Sequence, residues 1–114
     1  MIGTSQAVSN MAANNLEPYI PTHPGEVLKD EIEYRGISQK KLAEAMNVPY
    51  TLLNEVLNAK RPVNTELALL IEATLDLPAE PLLKMQVRYN VLTTKRNNTF
   101  MKKLQSMQRI AAVF

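Results

Sequence analysis

The tripeptide Asn47-Val48-Pro49 constrains this chain more than any other feature. Asn tolerates the left-handed backbone, and proline ends one helix and opens the next, so a tight turn is enforced. On either side lies a short amphipathic stretch. Ser38 is a good N-cap for the first, which turns Leu42, Ala43 and Met46 inward. The second, roughly 49–58, has Leu53, Val56 and Leu57 on its apolar face. Ala43 is the small residue that a close helix crossing needs, and Leu42, Val48, Leu53 and Val56 lock the second helix onto the first. This is the pattern of a helix-turn-helix, in which the second helix lies in the major groove of DNA. An ordinary helical hairpin within a bundle is the other reading of the spacing.

The remaining pattern is helical throughout, with no convincing strand. Residues 1–18 form a polar leader, with a short helix possible around Val8–Met11. Three prolines between Pro18 and Pro24 then demand extended chain. A first helix is expected from His23 to about Tyr34, with Pro24 in its opening turn, Val27, Leu28 and Ile32 inward, and Gly36 ending it. Asn64 caps a helix over 65–75. Another runs from Ala79 to about Leu92, drawing apolar surface from Leu82, Leu83, Met85, Val87 and Tyr89. After a polar break at 93–98, Phe100, Leu104, Met107, Ala111 and Phe114 fall at spacings of 4, 3, 4 and 3. That stripe predicts an amphipathic helix over 99–113. The expected fold is all-α: a five-helix helix-turn-helix domain over 19–93, with an extra C-terminal amphipathic helix within 94–114.

Composition removes most other classes of function. The 114 residues include no Cys and one His. Disulfides, thiol catalysis, Cys-based zinc sites and two-His metal sites are therefore excluded. No nucleophile–base set, acid/base pair or glycine-rich phosphate loop is visible, so no catalytic residue, metal site or cofactor is expected and the chain is not read as an enzyme. No apolar run approaches the ~20 residues of a membrane span, and no signal peptide is evident, so a cytoplasmic protein without membrane contact is expected. The sole histidine, followed by Pro24, reads as a helix-entry residue. The net charge of +2 conceals an asymmetry: residues 1–80 carry 6 basic and 11 acidic side chains, residues 81–114 carry 7 basic and none acidic.

Longer blocks carry a resemblance. His23-Pro24-Gly25-Glu26-Val27-Leu28, Ile37-Ser38-Gln39, Leu42-Ala43, Val48-Pro49 and the run Leu53 to Arg61 (LNEVLNAKR) resemble HigA-type antitoxins, members of the Xre/Cro-like helix-turn-helix proteins of bacteria. Glu80–Tyr89 (EPLLKMQVRY) is similar to the distal helix of that family. The resemblance spans about residues 22–92. It implies a homodimer that binds a palindromic double-stranded operator, represses its own operon and neutralises a RelE/HigB-like ribonuclease toxin. The chain departs from the family pattern at Ala59 and Pro62, where Gly is common, and at Pro81 and Leu82, where Phe and Trp are usual.

In a helix-turn-helix the N-terminal part of the second helix faces base edges, which makes Tyr50, Thr51, Asn54 and Glu55 the candidates for base contacts. Leu52 either touches a thymine methyl or covers the surface. Gln39, Lys40, Lys41, Lys60 and Arg61 flank that helix as candidate phosphate contacts. Glu26, Asp30, Glu31 and Glu33 form an acidic surface suited to a basic toxin, or simply a solvated face. Phe100, Leu104, Met107 and Phe114 are candidates for a dimer contact. Two alternatives stay open: a stand-alone Xre-type repressor with no toxin, and a toxin-binding protein that has lost DNA binding.

Overall fold

The computed structural model describes residues 21–108 and 110. The leader, Ala111 and Phe114 lie outside these residues. Among the described residues six α-helices follow in order: α1 (Pro24–Arg35), α2 (Gln39–Met46), α3 (Tyr50–Leu57), α4 (Thr65–Leu75), α5 (Ala79–Lys95) and α6 (Asn98–Gln105). The all-α expectation holds, with no strand among the described residues.

Local chemistry sets most boundaries. Gly36 ends α1 with φ 70°, and Asn47 ends α2 with φ 56°, both left-handed as the sequence demands. The Ser38 hydroxyl accepts from Lys41 N–H at 3.1 Å, and Asn64 Oδ1 accepts from Leu67 N–H at 2.8 Å. These bonds satisfy donors that a helix start leaves unpaired. Pro78 cannot cap α5 in this way. The Glu72 carboxylate of α4 does so instead, taking Ala79 N–H at 2.7 Å.

The helices pack around one core that includes Leu28, Leu42, Leu53, Val56, Leu57 and Ile71, all almost wholly buried. Each such side chain contributes roughly 1.5–3 kcal/mol through removal of apolar surface from water. The tightest approach is between backbones. A Cβ placed on Gly25 would lie 1.8 Å from the Val56 carbonyl oxygen, so only glycine lets the first turn of α1 rest against α3. His23 locks the same corner. Its Nδ1 accepts Gly25 N–H at 2.8 Å, while its own N–H donates to Glu26 Oε2 at 3.3 Å. The block His-Pro-Gly-Glu is thus one device: cap, helix opener, close approach and return cap.

Three expectations need correction. Val27 is not inward; it is 37% exposed at the rim of α1, because Leu28 and Ile32 alone take the core-facing stripe. Helix α5 runs on to Lys95, and the break narrows to Arg96–Asn97, where Asn97 Oδ1 caps α6 by accepting Phe100 N–H at 3.0 Å. The C-terminal helix does not reach residue 113. It stops at Gln105, where Ser106 N–H reaches back to the carbonyls of Lys102 and Lys103 (3.2 and 3.1 Å) and its hydroxyl donates to Lys103 O at 2.7 Å. Such tight closure ends the ladder. Met107 is therefore off the helix that carries Phe100 and Leu104.

Gly25→Ala should cost about 3 kcal/mol or more, since the added methyl meets backbone rather than a yielding side chain. Denaturant unfolding checks this; a loss below about 1 kcal/mol would mean that α1 and α3 separate easily.

Candidate nucleic-acid interface

The turn built by Asn47 and Pro49 sets α3 across α2, with Val48 N–H bonded to Ala43 O at 3.0 Å. Leu53, Val56 and Leu57 face the core, which leaves the opposite side of α3 to solvent. Tyr50 and Thr51 stand exposed at its N-terminal end, with Tyr50 49% accessible. Leu52 packs against the core cluster and is a covering residue, not an outward one. Lys40 and Lys41 are exposed on the first turn of α2, and Lys60 follows α3. None of the three has an ion-pair partner among the described residues. Among these candidates, a side-chain bond from Asn54 to Gln39 joins α3 to the start of α2.

Two of the expected contacts are already engaged with each other. Asn54 Nδ2 donates to Gln39 Oε1 at 3.0 Å, which ties the start of α2 to the middle of α3. Asn54 Oδ1 and Gln39 Nε2 have no side-chain partner among the described residues, which leaves one acceptor and one donor group of the pair uncommitted. Glu55 Oε1 takes Arg61 Nη2 at 2.8 Å and Nε at 2.9 Å. Both side chains are about half exposed. This ion pair depends on the end of α3, where Ala59 sits in the left-handed region with φ 62° and Lys60 N–H returns to Glu55 O at 2.8 Å. The residue that stands in place of the usual glycine is therefore the strained one, at a cost of roughly 1–2 kcal/mol.

Behind this surface His23 is buried and meets Tyr89 edge-on, with ring centroids 4.8 Å apart. Burial lowers its pKa below the usual 6.5, against the pull of Glu26 and of a hydrogen bond with the Arg61 backbone. The ring stays neutral and keeps Nδ1 as an acceptor for the α1 cap. His23 thus anchors the start of α1, and Gln86, buried in α5, anchors the loop that follows Arg61 by accepting Val63 N–H at 2.8 Å. Neither anchor has a signature in a single sequence beyond its place in the quoted blocks.

The acidic candidates of α1 divide. Glu26 is spent on the cap, and Glu31 pairs with Arg35 Nε at 2.6 Å, whose Nη1 in turn holds Leu75 O at 2.8 Å. Glu26, Asp30 and Glu33 share a shallow depression with Leu57, Asn58 and Ala59 at the end of α3. Glu31 lies outside it. Phe100 and Leu104 remain 40% and 44% exposed on α6, and Met107 is 52% exposed beyond it. They do not stand alone. Val87 and Val91 of α5 are 61% and 46% exposed, and Phe100 and Leu104 share an apolar depression with Val91. Val87, expected to contribute apolar surface to α5, does so on the exposed side of the helix. The buried side proves to be Ala79, Leu82, Gln86 and Leu92, an assignment that a polar Gln obscures.

Among the described residues, no cluster of three or more His, Cys, Asp or Glu side chains is placed to hold a metal, and no helix is long and apolar enough to cross a membrane.

Two short helices joined by a left-handed Asn turn, the second with one side buried and the other exposed, define a helix-turn-helix domain. Residues 28–82 match the Helix-turn-helix family. Virulence-associated protein I of Dichelobacter nodosus is 32% identical over 81 residues, which is 70% of this chain and 73% of the relative. Among solved structures, antitoxin GraA is 30% identical with a TM-score of 0.71, covering 79% of this chain and 97% of its own. The Pseudomonas aeruginosa antitoxin HigA, solved with the higBA promoter, is 26% identical with a TM-score of 0.69, covering 77% and 96%. The chain belongs to the HigA-type antitoxins of the Xre-like helix-turn-helix family, which are DNA-binding regulators rather than enzymes.

Proposed function

We propose that this protein binds a palindromic operator as a homodimer, represses its own operon, and neutralises a RelE/HigB-like ribonuclease toxin. The observation that carries the DNA half is the exposed N-terminal end of α3, with Tyr50 and Thr51 accessible and the Asn54–Gln39 bond drawing alongside it the start of α2, which carries Lys40 and Lys41. The promoter and operator complexes formed by structural relatives support it. In this reading Thr51 offers a hydroxyl and a methyl to a base edge, Tyr50 reaches a sugar or phosphate, and the Asn54–Gln39 pair presents one acceptor and one donor. Gln39, Lys40, Lys41, Lys60 and Arg61 serve the phosphates, and Glu55 accepts from a base amino group. Thr51→Ala should change sequence preference with little loss on random DNA. Lys60→Ala should weaken all DNA alike and reduce the salt slope by about 0.9. Binding titrations over a salt series check both; slopes and preferences equal to wild type in both variants would remove α3 and its flank from the interface.

Pairing of two copies gives the two half-sites that such a reader uses, about one helical turn apart. The apolar side of α5, continued by Phe100 and Leu104, is the surface that pairing would cover. Its midpoint is Val87. Val87→Glu should yield monomers in sedimentation equilibrium at concentrations where wild type is dimeric; an unchanged dimer would place the contact elsewhere.

The toxin half rests on charge. Asp30 and Glu33 remain available on α1, beside Glu26, and would attract a basic nuclease. Asp30→Asn with Glu33→Gln should slow association with a toxin encoded beside this gene by about tenfold at low salt. Surface plasmon resonance checks this, and an unchanged association rate would exclude the surface.

A further inference from the structure

We propose that the Glu55–Arg61 ion pair is a specificity latch, which lets Arg61 reach a phosphate only when Glu55 finds a hydrogen-bond donor on a base. The inference rests on the DNA-binding reading above and concerns how the same face discriminates.

The geometry is particular. Arg61 approaches side-on, with Nε and Nη2 both directed at Glu55 Oε1 at 2.9 and 2.8 Å. Glu55 Oε2 and Arg61 Nη1 are left without a partner among the described residues. Glu55 sits one helical turn beyond Thr51 on α3, on the base-facing side. Arg61 arrives from the loop that the left-handed Ala59 folds back, and that loop is held on one side by Lys60 N–H on Glu55 O at 2.8 Å and on the other by Val63 N–H on the buried Gln86 Oε1 at 2.8 Å. The backbone is fixed while the side chain is half exposed, so Arg61 can leave Glu55 without moving the loop. Exposed pairs of this kind are weak and open readily.

Consider what opening does beside DNA. A phosphate attracts Arg61, but its departure strips Glu55 of its counter-charge where phosphates already repel a carboxylate. On an arbitrary sequence the two effects oppose, and the latch stays shut with Arg61 neutralised. Where a cytosine N4 amino group, or the equivalent group of adenine, stands opposite Glu55, the carboxylate gains a new donor and Arg61 is released to the backbone. A base contact and a phosphate contact then form together. The pair converts an otherwise indiscriminate cation into one whose contribution depends on sequence, a use of repulsion against the wrong partner. Neither residue alone would show this behaviour.

The experiment compares wild type, Glu55→Gln, Arg61→Ala and the double variant in fluorescence anisotropy titrations, using the DNA upstream of this gene and a scrambled duplex over a salt series. Glu55→Gln should bind scrambled DNA about threefold to tenfold more tightly, with a salt slope steeper by about 0.9 from the added phosphate contact. Its preference for the upstream sequence should shrink correspondingly. The gain on scrambled DNA should vanish when Arg61 is already Ala. If the gain persists undiminished in the double variant, Glu55 acts only as a repulsive charge and the latch is overturned. An unaltered scrambled affinity in Glu55→Gln overturns it as well. Failure of wild type to bind either duplex in a salt-dependent way would instead overturn the DNA-binding reading, and the latch with it.

Discussion

The contact between Gly25 and the Val56 carbonyl governs the arrangement of every other part. Helix α1 touches α3 through backbone, with 1.8 Å between that oxygen and the position a Cβ would take. A helix that bears on its neighbour through side chains can slide as rotamers change; one seated on a carbonyl cannot. The face of α3 opposite this contact is the one turned to solvent. The orientation of Thr51, Asn54 and Glu55 is thus set from behind, by a glycine in the first turn of another helix. His23 secures the seat, since its ring caps α1 and meets Tyr89 of α5. One buried, neutral imidazole connects the cap with the distal helix.

Much of this was legible in the amino-acid sequence because it is written in short-range chemistry. Ser38, Asn47, Asn64 and Gly36 act within three or four residues of themselves, so their types nearly determine the turns they make. Ala59 was legible as an anomaly and proves to be left-handed at φ 62°. The failures involve longer range or competing patterns. The stripe from Phe100 to Phe114 is periodic, yet Ser106 closes the helix with its own hydroxyl, which periodicity does not register. Which side of α5 is buried was not legible, because that side includes Gln86, whose partner, the Val63 amide, is 23 residues away in the chain. The Glu55–Arg61 pair crosses a helix end and requires Ala59 to bend the chain, so neither residue signals it alone.

Charge follows the same division between local and global. A net +2 is too small to announce a partner for nucleic acid. The cations proposed to meet phosphates all lie within residues 1–80, where acids outnumber bases. Glu31 is held by Arg35, Glu26 by the α1 cap and Glu72 by the start of α5, which removes three carboxylates from general circulation. Lys40, Lys41 and Lys60 keep no such partner among the described residues. The potential at the front of α3 is therefore set by placement rather than by the total.

The account stands or falls on whether two copies of α3 read DNA together. Hydroxyl-radical footprinting of the duplex upstream of this gene measures that directly. Two protected half-sites related by a dyad, centred about 34–36 Å apart and filled at the same protein concentration, are the predicted result. A single protected patch, or uniform protection with no preference over scrambled DNA, would contradict it.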